Sequence, residues 1–471
     1  MSKRSLLWLG FAIFILNFLL KLIGINASSL WHDEALSVKN TFLEFGHIKH
    51  ESEWDANPPL YYYCLWIWSH VFGHTEIAVR SMSAFFNALA AVCFFYFLQK
   101  RNTLKTTLVL SFVYLSHPFL FYYAQEARSY SLILLLMMVN IICTENYFIK
   151  RTYGNALLLG LLNFLLFYTH YITGIYLVIQ FLFLALDFRF IWRTLLSYLI
   201  TLLLVFIRFT SKQYLVIFFS SDLSKSKNNI EFSTYNSLIA VLNNLFVSKY
   251  VFLAFLILAI YHLTRAVAKS QREQIVYFQS FLLLTPVITI FIFYFLGKFT
   301  NVFAARYLIY CIPLVLAGLG ALKFQSQFSI LVLVGLGLFF DFQIKPGENK
   351  GMDYRLAAKL AREQASGPES AILLQTHDIA PLFTYYYDFE LFKSNPQSKA
   401  DALEKKGIYV FDDFSQFKLD KLSSFKRLML LQSFVSRPER NRLTARMDSM
   451  RFRRNGTFEI DGANYSVFSK Y

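Results

Sequence analysis

Charge is what this sequence has least of for its size. Asp, Glu, Lys and Arg make up only 16% of its 471 residues, against about 25% in a typical soluble domain. That is too little to cover a water-facing surface. Glycine (18) and proline (10) are sparse as well, which excludes collagen-like, linker-rich and disordered classes. The four cysteines, Cys64, Cys93, Cys143 and Cys311, sit in or beside apolar segments without CxxC or other metal spacing. They read as small core or membrane-facing residues. What remains is strongly apolar: 56% hydrophobic, with 52 Phe and 29 Tyr. Apolar runs of about 20 residues recur, long enough to cross a bilayer as helices. The fold class predicted is a polytopic α-helical membrane protein. The net charge of +16 does not require nucleic acid as a partner. Lys and Arg collect in cytoplasmic loops of membrane proteins, and here the aromatics lie inside apolar spans rather than among basic residues.

Eleven spans are expected, near 5–25, 80–98, 106–124, 129–148, 154–169, 171–187, 194–209, 250–268, 276–296, 304–322 and 328–344. Lys3 and Arg4 precede the first, and no convincing small-x-small cleavage site follows it, so it reads as an uncleaved transmembrane helix. Short basic connectors (Lys100-Arg101 with Lys105, Lys150-Arg151, Arg189 with Arg193, Arg265 with Lys269 and Arg272) fall on one side with the N-terminus. The loop 26–79 is acidic, with Asp33, Glu34, Glu44, Glu51, Glu53, Asp55 and Glu76. By the positive-inside rule the N-terminus is cytoplasmic and this loop is external. An odd span count then places the C-terminus outside, in the periplasm or extracellular space.

Two domains follow: residues 1–345 in the membrane, carrying the external loop 26–79, and 346–471 as a small soluble α/β domain. In the latter, Asp353–Gln364 has helical periodicity, and a second helix is expected over 379–387. Ala371–Leu374, Ile408–Phe411 and Leu428–Phe434 read as strands, and Asp461-Gly462 marks a hairpin between 458–460 and 465–468. In the first loop, Ala35–Ile48 is expected as one amphipathic helix with Val38, Phe42 and Phe45 on a shared face. Pro58-Pro59 would open a second, Tyr/Trp-rich helix lying along the membrane surface. Residues 220–235 read as an external loop.

Five short motifs could carry chemistry. Trp31-His32-Asp33-Glu34-Ala35 places two carboxylates at the membrane boundary, where they can serve as a general base or simply favour a helix N-terminus. Gln125-Glu126-Ala127-Arg128-Ser129-Tyr130 puts a carboxylate and a guanidinium between apolar spans. Such groups are expensive there unless they face a cavity or a partner. Arginine's fork of donors suits a phosphate. His170-Tyr171 and Arg306-Tyr307 lie at other span ends on the same external side. Each has a plain structural reading too: a hydrogen-bonded histidine, an arginine snorkelling to the interface.

Taken in order, Trp31-His32-Asp33-Glu34-Ala35, Asn57-Pro58-Pro59-Leu60-Tyr61-Tyr62, Gln125-Glu126-Ala127-Arg128-Ser129-Tyr130, Tyr168-Thr169-His170-Tyr171 and Arg306-Tyr307 resemble landmarks of one family. It is the dolichyl-phosphate-mannose protein mannosyltransferase-like family, to which bacterial lipid A aminoarabinose transferases belong. The resemblance covers about residues 1–345. It implies the GT-C membrane fold, a bacterial inner-membrane location and a polyprenyl-phosphate-linked sugar as donor. The acceptor would be an extracytoplasmic glycolipid, glycan or protein. Asp33 would be the catalytic base and Glu34 would assist or orient it. Glu126, Arg128, His170, Tyr171, Arg306, Tyr307 and Asn57 would bind substrate. Where the aminoarabinose transferases carry an acidic residue and a lysine just before the proline pair, this sequence reads Asp55-Ala56-Asn57. That departure leaves the metal question open, with His170 the first candidate ligand for a divalent ion and no cofactor implied outright. Two other readings fit the same composition: a transporter or flippase of lipid-linked sugars, and a polymerase or ligase using lipid-diphosphate glycans. No internal repeat of the kind transporters carry is found.

Overall fold

The computed structural model describes residues 2–50, 57–209, 233–268, 274–299, 302–322, 335–340, 342–345, 353–365, 367–375, 379–394, 396–411, 419–422, 424–433, 445, 447–460 and 463–471. The chain forms two compact units. One comprises Met1–Ile23, Phe45–Val71 and Ala78–Lys345; the other Gly24–Glu44, Phe72–Ile77 and Pro346–Tyr471. In chain order the longer helices are α1 (Lys3–Leu22), α2 (His32–Lys39), α3 (Leu60–Phe72), α4 (Glu76–Gln99), α5 (Leu104–Leu115), α6 (Pro118–Ala124) and α7 (Tyr130–Ile149). They continue with α8 (Tyr153–Thr169), α9 (Thr173–Ala185), α10 (Ile191–Phe209), α11 (Tyr235–Phe246), α12 (Lys249–Ala268), α13 (Gln274–Leu296) and α14 (Cys311–Ala321).

The first unit is helical. Five stretches are long and apolar enough to cross a membrane: α1, α4, α7, Phe188–Ile207 through α10, and Val276–Leu296 in α13. Counting the bent pairs α5–α6 (58°) and α11–α12 (76°) as single spans makes seven. Of the eleven spans expected, these five to seven have the length and apolarity of a full crossing among the described residues. The 17 residues of α8 reach only about 25 Å at 1.5 Å per residue, and the 13 of α9 less, short of a hydrocarbon core of about 30 Å. The first part of the span expected at 328–344 lies outside the described residues, as do most of the loop 220–235 and Asp55. Leu7, Trp8 and Phe11 on α1 and Phe291 and Phe295 on α13 are exposed, the apolar outer surface that lipid rather than water would solvate.

Polar side chains hold these helices together, because lipid supplies no hydrophobic drive between them. Asn140 on α7 accepts hydrogen bonds from Tyr176 and Gln180 on α9, each at 2.7 Å, and donates to Asn163 on α8 at 2.7 Å. The α5–α6 break has a local cause and a distant support. Pro118 at the first turn of α6 has no N–H to continue the helix. The buried Lys21 Nζ then donates to the Leu115 carbonyl at 2.9 Å. Gln125 in turn donates to the carbonyls of Lys21 (3.0 Å) and Ile23 (2.7 Å), closing the C-terminal end of α1.

The second unit contains helices α15 (Tyr354–Gln364), α16 (Ile379–Tyr387), α17 (Phe389–Lys393) and α18 (Pro396–Lys405). Its strands are β1 (Ser370–Gln375), β2 (Ile408–Phe411), β3 (Arg427–Ser433), β4 (Phe452–Ile460) and β5 (Ala463–Lys470), in the order β2-β1-β3-β5-β4. β1 pairs parallel with both neighbours, and β3–β5 and β4–β5 are antiparallel. Ala371 and Leu373 pack into a cluster with Leu428, Leu430, Phe452 and Phe468. Ile372 and Leu374, facing the other way, are equally buried, which is why β1 is an unbroken apolar run rather than an alternating one. The expected helices and strands are present. The turn residues Asp461 and Gly462 lie outside the described residues.

The helix expected over Ala35–Ile48 is shorter. α2 ends at Lys39, two single turns follow at Asn40–Phe42 and Phe45–His47, and Leu43 between them is extended. Phe42 and Phe45 consequently do not share a helix face. Phe42 stacks on His74 at 4.2 Å and meets Phe389 and Phe392 edge-on. Phe45 packs on Tyr63 and Trp66.

Gly24–Glu44 is fastened to the C-terminal segment within the second unit. The Leu30 N–H donates to the Tyr386 hydroxyl at 2.7 Å, and that hydroxyl donates to Glu76. Arg355 donates to the carbonyls of Asn26 and Ala27, each at 2.8 Å, and Tyr354 N–H to Ser29 Oγ at 3.2 Å. Burial raises the Tyr386 phenol pKa above its ordinary value, and the Glu76 carboxylate raises it further, so the hydroxyl keeps its proton for Glu76. Replacing Tyr386 with Phe removes the acceptor of the Leu30 amide. Hydrogen exchange at that amide should quicken about fivefold, for a net hydrogen bond worth about 1 kcal/mol. Unchanged exchange would contradict the fastening.

Candidate functional site

The loop 125–129 joins α6 to α7 and carries Glu126 and Arg128. These two sit in the turn that precedes α7. Gln125 fixes the start of this turn through its bonds to the end of α1. Arg128 N–H donates to the Glu126 carbonyl at 2.8 Å. Both side chains are buried, Glu126 at 2% and Arg128 at 8% exposure.

Arg128 Nη1 reaches the Tyr62 hydroxyl at 3.4 Å, and Ser83 Oγ donates to the Arg128 carbonyl at 3.4 Å. Ser83 also meets the Tyr61 hydroxyl at 3.3 Å. The tyrosine run after Pro58-Pro59 therefore does more than anchor a helix at an interface. Tyr61 and Tyr62 close the Asn57-Pro58-Pro59 landmark without having been given a role by sequence, and Ser83, within an apolar span, carried no sequence signal.

Arg306 arrives from a single turn at Ala305–Leu308, just before α14. Its guanidinium lies 5.1 Å from the Tyr307 ring centroid. The Tyr307 ring meets His170 edge-on at 5.6 Å. His170 occupies the connector between α8 and α9, where Thr173 Oγ1 donates to its carbonyl at 2.9 Å. Tyr171 beside it packs on Phe167 at 5.3 Å. Tyr130, the first residue of α7, lies within electrostatic reach of Arg128, Arg306, Glu126 and Tyr307 together. Within this unit the structure thus gathers Glu126, Arg128, His170, Arg306 and Tyr307. Asn57 stands half-buried ahead of α3.

Two guanidinium groups against one carboxylate leave the cluster positive. The N-terminus of α7 adds partial positive charge from its first N–H groups. Such a centre suits an anion with several acceptor oxygens. Burial holds the His170 imidazole below its ordinary pKa, and the positive Arg128 and Arg306 lower it further. His170 is then neutral at physiological pH, able to donate or accept one hydrogen bond but adding no charge.

Asp33 and Glu34 belong to the second unit, in the first turn of α2. Asp33 is half-buried, and Ser37 Oγ donates to its carbonyl at 2.9 Å. Glu34 is fully buried, and its Oε2 accepts from the Trp31 N–H at 3.3 Å. Glu34 therefore braces the start of α2. Among the described residues, no group of three or more His, Cys, Asp or Glu is placed to hold a metal ion.

No protein-family model matches the sequence, and no curated protein matches it either. The fold does have solved counterparts. The chain aligns over 99% of its length with 98% of ArnT from Cupriavidus metallidurans bound to undecaprenyl phosphate, with a TM-score of 0.55 at 11% identity. The apo state of the same protein aligns over 100% of this chain and 98% of its own, with a TM-score of 0.54 at 12% identity. At that identity the likeness establishes architecture: an integral membrane protein of GT-C fold with a small C-terminal α/β sheet.

Removing either cation should release part of the restraint on His170. Arg128→Gln and Arg306→Gln should each move its pKa up toward the ordinary value of about 6.5, read by NMR of histidine-labelled protein. Titration of His170 near 6.5 in the unmodified protein would contradict the cluster.

Proposed function

We propose that this protein is a glycosyltransferase that moves a sugar from a polyprenyl-phosphate carrier to an extracytoplasmic acceptor. The observation that carries this reading is the Glu126–Arg128–His170–Arg306 cluster, its first two side chains buried, in a chain of GT-C fold. Its similarity to ArnT, solved with undecaprenyl phosphate, supports a lipid monophosphate as the anion.

Asp33 is assigned the general base. It takes the proton of the acceptor hydroxyl as that oxygen attacks the anomeric carbon. The bond between that carbon and the carrier phosphate oxygen breaks, and the phosphate leaves on the polyprenyl chain. One direct displacement inverts the anomeric centre. Arg128 and Arg306 are assigned the departing phosphate, whose charge grows as the bond breaks, so their attraction is strongest where it lowers the barrier. Glu34 orients α2 rather than exchanging protons, in keeping with its bond to Trp31. Residues 1–345 are read as the catalytic body, and 346–471 as an extracytoplasmic domain that steadies the segment bearing Asp33. The N-terminus is read as cytoplasmic and the membrane as the bacterial inner membrane.

Purified protein given a polyprenyl-monophosphate sugar and an acceptor-containing envelope fraction should release polyprenyl phosphate. Asp33→Asn should slow release by at least about 100-fold, the usual loss on removing a general base, while Glu34→Gln, which keeps an accepting oxygen, should slow it far less. Full turnover in Asp33→Asn would overturn the assignment of Asp33. Release from lipid diphosphate but not monophosphate would overturn the donor class.

A further inference from the structure

The charges at the opposite end of α7 have no part in the reaction proposed above. The 20 residues of α7 carry the chain about 30 Å, one hydrocarbon thickness, from Arg128 to Lys150-Arg151. There the connector into α8 meets the connector between α9 and α10, with Asp187 and Arg189. Arg101 and Glu145 form an ion pair with side chains that are nearly buried, so one cation at this end is matched.

Arg151 is not matched in that way. It is 5% exposed, and an arginine keeps its charge at any ordinary pH. Rings surround it: Tyr147 and Phe148 at 4.8 Å and Phe190 at 5.8 Å. Its Nε and Nη1 are buried without a hydrogen-bond partner. Asp187 attracts it from nearby, but both Asp187 oxygens are taken by Arg189, at 2.8 and 3.0 Å. Leaving a buried guanidinium with idle donors is costly, and cation–π contact offsets only part of that.

Beside it opens a cavity of about 360 Å³, lined by Phe148, Arg151, Phe183, Leu186, Asp187, Arg189 and Tyr277. That is within the size range of small-ligand sites. Polar groups make up a large part of this wall, so the space suits a hydrated or oxygen-rich group. The surface around it is built for lipid: Leu186, Phe188 and Trp192 are 59%, 77% and 78% exposed. Basic pockets between membrane helices at headgroup level bind lipid phosphates.

We infer that this cavity binds a phosphate oxyanion, carried by the headgroup of an anionic phospholipid in the leaflet at this end of α7. Arg151 supplies a largely buried positive charge in the cavity wall. Arg189, already neutralising Asp187, presents its remaining N–H groups to the same space. The acyl chains lie along the exposed apolar side chains outside. Such a lipid would offset the charge of a buried cation that the surrounding rings only partly balance.

The test uses the full-length protein in detergent, with native mass spectrometry after adding phosphatidylglycerol or phosphatidylcholine. A parallel titration adds inorganic phosphate at constant ionic strength. Phosphatidylglycerol should bind in preference to phosphatidylcholine. Occupancy should fall about tenfold in Arg151→Gln, the scale of losing one charge-assisted hydrogen bond. Leu186→Trp is the second variant. It keeps every charge and alters an exposed side chain at the cavity, so it should fold normally and still lower occupancy by blocking entry. If inorganic phosphate binds with the same dependence on Arg151 while the lipid does not, the oxyanion site stands and its source is soluble. Equal phosphatidylglycerol occupancy in the unmodified protein and both variants, without Arg151-dependent phosphate binding, overturns the inference.

Discussion

A guanidinium group walled in by apolar helices cannot shed its charge, so the chain has to bring something to it. That requirement organises the helical unit. At one end Arg101 meets Glu145, and Arg151 lies among three rings beside a polar cavity. At the start of α7, Arg128 reaches Tyr62, and Arg306 lies against Tyr307 within reach of the same Tyr130. Between these ends α7 offers only neutral polar groups, such as Asn140 and Thr144, which bind its neighbours. The cost of charge in such surroundings is thus met by pairing at one position and by ligand-binding potential at others. A phosphate is the anion that two forked donors and a helix N-terminus hold best.

The second unit solves a different problem. Asp33 follows the first span by only a few residues, on an eight-residue helix too short to persist in isolation. Glu34 braces its first turn, while Tyr386, Tyr354 and Arg355 bind the preceding backbone. The C-terminal segment is therefore a scaffold for a loop more than 300 residues earlier. Its sheet needs no help from membrane chemistry: β1 is buried on both faces and its own helices cover it. This arrangement supplies rigidity to a segment that could not supply its own.

Much of this was legible in the sequence, and the pattern of success is physical. Span positions and tail strands rest on local periodicity, so runs such as Ala371–Leu374 and Tyr130–Ile149 could be read directly. The order of Asp33, Glu126, His170 and Arg306 marked the polar exceptions, and the structure groups three of the four in one unit. Features set by distant partners were not legible. Lys21 capping the α5–α6 break, Gln125 closing α1, and Tyr386 joining Leu30 to Glu76 all depend on residues about 90 to 350 positions apart. The ending of α2 at Lys39 was missed for a related reason. Periodicity alone continued the helix to Ile48, whereas Phe42 finds its partners in His74, Phe389 and Phe392.

The central claim is that Arg128 and Arg306 together hold the phosphate of a polyprenyl carrier, and it is tested most directly by equilibrium binding. Polyprenyl phosphate without sugar should bind the unmodified protein. Arg128→Gln and Arg306→Gln should each weaken that binding about tenfold or more, as loss of a charge-assisted hydrogen bond implies. Binding of equal strength in all three proteins would contradict the account.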